Sequence, residues 1–147
     1  MKTTDDLIIF EQTFNASLES VWNAITDVNL MRKWYFNNIP DFEATVGCTT
    51  QFDVTNGDRN FLHQWKVTEV IPLKKLKYEW TFEGYKGRST TLFELFAKEN
   101  STMLILNVEV LEDFPDDIPE FRRESCIGGW NYFINGRLKD FLSASSS

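Results

Sequence analysis

The sequence predicts a single α+β domain in which a curved antiparallel β-sheet wraps around a long C-terminal α-helix, with two short helices after the first strand. Three observations lead to that expectation. Roughly seventy residues after Pro40 break into short alternating stretches separated by turn-forming residues. The end of the chain repeats apolar side chains at helical spacing. Between the first alternating stretch and Pro40 lie two apolar segments, each preceded by a capping residue.

Residues 7–14 alternate, with Ile8, Phe10 and Phe14 on one face, and predict a strand. Ser17 is placed to cap a short helix carrying Val21, Trp22 and Ile25, and Asp27 a second one carrying Leu30, Met31 and Trp34. Strands are expected at 42–46, 49–54, 60–71, 75–83, 89–98 and 102–111. Turn signals at Asn56-Gly57-Asp58, Gly84-Tyr85-Lys86-Gly87 and Glu99-Asn100-Ser101 punctuate them. Phe61, His63, Trp65 and Val67 share one face, as do Leu76, Tyr78, Trp80 and Phe82. Lys77, Glu79 and Thr81 take the opposite face, which should meet water.

Asp117 and Glu120 stand three apart, as in a capping box, and Pro119 falls in the first turn, so the last helix is expected to start near 118. Phe121, Cys126, Trp130, Phe133, Ile134, Leu138 and Phe141 then recur at close to helical spacing. Continued to about 142, that helix measures ~36 Å at 1.5 Å per residue, enough to cross a sheet. Residues 1–143 are expected to form the domain and 144–147 a flexible tail.

Composition narrows the function. At 147 residues the chain is long enough to bury one core. Its formal net charge of −7 provides no footprint for a nucleic-acid backbone and is repelled by anionic lipid. The N-terminus lacks the basic and apolar regions of a secretory signal, and no run approaches a membrane span, so a cytoplasmic protein without membrane insertion is expected. Cys48 and Cys126 are then two reduced thiols, in a monomer or homodimer. Aromatic residues make up 15%, including 13 Phe and 5 Trp; large rings both fill cores and line apolar pockets.

Three stretches resemble a known family. Phe14-Asn15-Ala16-Ser17 leads into Val21-Trp22-Asn23-Ala24-Ile25-Thr26-Asp27 and Trp34. Val67-Thr68-Glu69-Val70-Ile71-Pro72 continues into Leu76-Lys77-Tyr78-Glu79-Trp80, and Gly128-Gly129-Trp130 is followed by Leu138, Phe141 and Leu142. In this order they resemble the domains named for the activator of the heat-shock protein 90 ATPase, within the START-like superfamily (birch-pollen-allergen-like, polyketide cyclase-like). The resemblance implies a helix-grip fold with a cavity between sheet and C-terminal helix, and it makes a chaperone a candidate partner.

Within such a cavity Phe10, Trp65, Tyr78, Trp80, Trp130 and Phe133 would supply the apolar wall, and His63, Gln12 or Tyr78 the polar points. His63 is the only histidine; no Ser or Cys is assignable to it as a nucleophile, and no acid–base pair demands catalysis. Gly128 and Gly129, costly inside a helix, either leave room for a ligand or allow a kink, or else admit a close-packed ring. Metal-ligand spacing and glycine-rich phosphate loops are absent, and no cofactor is implied. Glu112, Asp113, Asp116, Asp117 and Glu120 are read as helix capping and a solvated turn. The expected function is non-catalytic binding of an apolar or amphipathic small molecule. The alternatives are a co-chaperone-like interaction module and a cavity enzyme of cyclase or hydrolase type.

Overall fold

A computed structural model describes the backbone of residues 1–145 and the side chains of 1–143. Strand β1 (Ile8–Phe14) leads into α1 (Leu18–Thr26) and α2 (Val28–Trp34). A meander follows: β2 (Thr49–Asn56), β3 (Arg59–Ile71), β4 (Lys75–Phe82), β5 (Arg88–Ala97) and β6 (Thr102–Glu112). The sheet is antiparallel throughout in the order β1-β6-β5-β4-β3-β2, so the first strand lies beside the last, with Ile8 opposite Val108. A 3₁₀ turn (Pro119–Phe121) then precedes α3 (Arg123–Trp130), a π-helical segment (Asn131–Leu138) and α4 (Lys139–Ser145). The junctions at Asn131 and Lys139 keep helical dihedrals, so these three segments form one continuous helix gripped by the sheet.

The two short helices are capped as the sequence predicts. Ser17 Oγ accepts from Ser20 N at 3.1 Å, and Asp27 Oδ1 accepts from Asn29 N at 2.9 Å. Trp34 is fully buried and donates from Nε1 to Ala24 O at 2.7 Å, which ties α2 to α1. The next residue, Tyr35, meets Tyr78 hydroxyl to hydroxyl at 2.8 Å and joins this helix pair to β4. Arg137 Nη2 donates to Lys33 O at 2.6 Å, which fastens the C-terminal helix to the same pair.

The π-helical segment has a physical reason. The buried apolar residues Trp130, Ile134, Leu138 and Leu142 recur every fourth residue. A straight α-helix of 3.6 residues per turn would rotate such a stripe by about 40° at each step. The wider i→i+5 turns of a π segment cancel that rotation, so one face stays on the sheet. Trp130 packs edge-on against Phe93 and Trp80, each with ring centroids 6.0 Å apart.

Three expectations are corrected. No strand forms at 42–46: Thr45 N bonds back to Glu43 O in a tight turn, and Phe42 alone of that stretch is buried. The last helix begins at Arg123 rather than near 118, and the capping box does not form. The turn at Ile118 has no side-chain cap, and Phe121 leaves the helical stripe to join Phe61 and Phe114 in a separate aromatic cluster. The acidic stretch serves tertiary pairing instead of helix capping. Glu120 binds Arg59, Glu112 binds Arg88, Asp116 binds Lys2, and Asp113 accepts from Thr3 N. The end of the expected tail, Ser146 and Ser147, lies outside the described residues.

Candidate ligand cavity

Between the concave face of the sheet and the C-terminal helix lies a cavity of about 180 Å³. The helix contributes Ser125, Cys126, Gly129, Trp130 and Phe133 to its wall. The sheet contributes His63, Trp80, Phe82, Ser89, Thr91 and Val108. Phe114, Glu120 and Phe121 close one end from the connection after β6, and Phe36 enters from the end of α2 together with Met1. Gly87 helps to hold that end. Its φ of +116° favours glycine, and a Cβ there would run into the Phe114 ring.

His63 is buried and its Nδ1 accepts from Trp80 Nε1 at 3.1 Å, so the neutral ring carries its proton on Nε2. Burial pushes its pKa down to about 4, and the charge of Asp53 offsets this only in part. Burial moves the Cys126 thiol the other way, up to about 11, against the smaller pull of Arg123. A reactive cysteine needs a thiolate beside a cationic partner. Here both groups are held neutral at pH 7, which is the opposite of an activated nucleophilic pair.

Two wall residues each carry a buried oxygen, out of reach of the cavity itself, that has no hydrogen-bond partner among the described residues. Thr91 is 1% exposed, and its buried Oγ1 is unpaired. Glu120 Oε2 accepts from Asn56 Nδ2 at 2.7 Å and from Arg59 Nε at 2.8 Å, yet Oε1 is buried without a donor. The Arg59 hydrogen bond keeps the Glu120 carboxyl below its ordinary pKa and therefore ionised at pH 7. Ser125 Oγ is occupied, donating to Pro119 O at 2.8 Å. No group of three or more His, Cys, Asp or Glu among the described residues could hold a metal ion.

Of the nine residues expected at the site, His63, Trp80, Gly129, Trp130 and Phe133 line the cavity. The other four do not. Trp65 and Tyr78 are buried one layer away, around Tyr35, where Tyr35 stacks on Trp65 with centroids 5.3 Å apart. Phe10 packs on the core, and Gln12 is half-buried, its Nε2 donating to Asn135 Oδ1 at 2.8 Å. Burial raises the pKa values of Tyr35 and Tyr78, so their paired hydroxyls stay protonated. Neither glycine is close-packed: a Cβ at Gly128, which is exposed, or at Gly129 would meet nothing within 4 Å. No ring packs against them, and Gly129 leaves its part of the wall open.

The wall residues missed by sequence reasoning had legible signals. Ser89 and Thr91 alternate with Phe93 and Leu95 on the buried face of β5, which places polar residues where apolar ones are the rule. Trp34-Tyr35-Phe36 is a run of three aromatics at a helix end, where only one fits the helical stripe.

A family model described as Activator of Hsp90 ATPase homolog 1-like protein matches residues 15–143. The chain belongs to that family. The solution structure of the Aha1 dimer from Colwellia psychrerythraea is similar at 25% identity, with a TM-score of 0.72 over 97% of this chain and 100% of that one. Protein CV1439 from Chromobacterium violaceum is similar at 21% identity and a TM-score of 0.77, over 92% of this chain and 96% of that one. DynU16, a protein in the dynemicin biosynthetic locus, is similar at 23% identity and a TM-score of 0.75 over 96% of this chain. The chain spans about half of DynU16, 48% of its length. Among curated proteins nothing matches. Family membership and these likenesses agree with the helix-grip fold and with a family whose members enclose cavities.

Proposed function

We propose that the chain binds an apolar or amphipathic small molecule in the cavity between sheet and C-terminal helix, without converting it. The observation that carries this reading is the open wall at Gly129. Glycine inside a helix costs roughly 0.5–1 kcal/mol relative to alanine, and no packing contact here offsets that cost. The cavity that Gly129 borders is lined by the aromatic residues Trp80, Phe82, Phe121, Trp130 and Phe133. Pockets for small organic ligands have this composition, mostly apolar with a few placed polar groups. The Cys126 thiol, kept protonated by burial, offers no ready nucleophile, which favours binding over chemistry.

Toluene titrated into the native protein should change tryptophan emission saturably, because Trp80 and Trp130 line the cavity. The same titration in urea should give no saturable change. Finding that neither toluene nor any other apolar probe binds the native protein would move the function to an interaction surface, as in a co-chaperone-like module.

A further inference from the structure

We propose that the cavity takes a one-ring aromatic molecule carrying a carbonyl oxygen, an aryl ketone in the simplest case, and that His63 Nε2–H is the donor that anchors it. The proposal rests on the binding reading above and deepens it to a ligand class.

The donor is the first argument. His63 is 8% exposed, and Trp80 Nε1 donates to its Nδ1, so the ring proton sits on Nε2. Nε2 has no hydrogen-bond partner among the described residues. The side-chain atoms there that are both unpaired and sealed from solvent are Trp65 Nε1, Thr91 Oγ1 and Glu120 Oε1. Nε2 is not one of them, so it keeps surface open to the cavity that its ring lines. Neighbouring rings hold its orientation. Phe52 stacks on the imidazole with centroids 5.3 Å apart, and Phe36 and Phe82 meet it edge-on at 5.4 and 4.7 Å. A donor fixed in advance loses little freedom when a ligand arrives.

Polarity is the second. The neutral imidazole Nε2–H can only donate, so it calls for an acceptor. Ser89 Oγ on the same wall also lacks a partner, but a hydroxyl donates or accepts and sets no preference of its own. Burial keeps the His63 ring uncharged at pH 7, and an uncharged carbonyl suits such a donor.

Size is the third. An apolar protein cavity of about 150 Å³ accepts benzene. The space here, about 180 Å³, leaves room for one ring and a small substituent. The Trp80 ring centroid lies 5.3 Å from that of His63 and 6.0 Å from that of Trp130, so donor and aromatic wall adjoin.

The test compares acetophenone with α-methylstyrene, which has the same shape with a methylene in place of the oxygen, on the full chain at pH 7. His63 is the only histidine, so its Nε2–H signal in ¹⁵N NMR is assigned without a variant. Acetophenone should move that signal saturably, and at least about threefold further than α-methylstyrene does. In His63→Phe, which keeps a ring and removes the donor, calorimetry should show the ratio of acetophenone to α-methylstyrene affinity falling at least about fivefold, the low end of the cost of a buried acceptor left unpaired. The α-methylstyrene affinity itself reports an intact cavity, and if the variant does not fold the NMR shifts decide alone. A smaller difference in shift, or a smaller fall in the ratio, overturns the His63 anchor and leaves the binding reading standing. A ratio that falls in Ser89→Ala and not in His63→Phe does the same. Tighter binding of 2-acetylnaphthalene than of acetophenone overturns the one-ring limit. Failure of acetophenone, α-methylstyrene and toluene alike to bind overturns both this proposal and the binding reading.

Discussion

Between pH 7 and pH 4 the protein should lose about 3 kcal/mol of stability through His63 alone. Burial pushes the folded ring down to about 4, and in the unfolded chain it titrates near its ordinary value of 6.5. Each pKa unit is worth about 1.4 kcal/mol. Above both values neither state holds the proton, and the group contributes no pH dependence. As the pH falls below 6.5 the unfolded chain takes up the proton first, so stability falls until the folded ring titrates too. Asp113 and Glu120, whose pKa values are lowered, add losses of the same sign at more acid pH. A His63→Gln variant separates the contributions, since it keeps an acceptor for Trp80 without a titrating ring. Urea midpoints at pH 7, 5.5 and 4 should fall faster for the native chain than for the variant. Parallel curves would show that His63 titrates in the folded chain as it does in the unfolded one.

Gly129→Leu should separate binding from stability even more sharply, by moving them in opposite directions. The position is helical, a Cβ there meets nothing within 4 Å, and Gly129 borders the cavity. Leucine gains roughly 0.5–1 kcal/mol of helix propensity over glycine. Filling an apolar space typically adds about 0.5–2 kcal/mol more. Toluene affinity should fall more than tenfold, because the added isobutyl group occupies the ligand's place. A raised melting temperature together with lost binding is the expected result. Unchanged toluene affinity in the stabilised variant would place the ligand elsewhere.

The fold was legible because its main signals are periodic. Strands β3 and β4 carry inward rings at every second residue, and Ser17 and Asp27 cap α1 and α2 through hydrogen bonds their residue types predict. The start of the last helix is not legible because Asp117 and Glu120 have capping spacing, whereas Arg59 and Asn56 lie 61 and 64 residues away in sequence and take Glu120 for themselves. Long-range pairing of that kind leaves no local trace. The π segment did leave one, a spacing of four at Trp130, Ile134, Leu138 and Leu142, which is easily taken for α-helical. Five of the sixteen wall residues, His63, Trp80, Gly129, Trp130 and Phe133, are legible in the sequence, mostly because aromatic rings announce themselves. Trp65 and Tyr78 were placed there because period two gives the face of a strand but not the depth along it. They lie toward the plug formed by α1 and α2, where Tyr35 fills the space a ligand would need.

The pairing of β1 with β6 also sets the order in which the molecule can assemble. Ile8 cannot find Val108 until about a hundred intervening residues are available, and closing a loop of that size costs entropy before any contact repays it. The β2–β5 meander can form from neighbours alone during synthesis, whereas the first strand must wait as an unpaired segment with its apolar residues uncovered. The C-terminal helix comes later still. A nascent chain therefore presents the aromatic inner face of its sheet to the surroundings until the last residues arrive, and slow release or early termination would favour association between copies over completion of the fold.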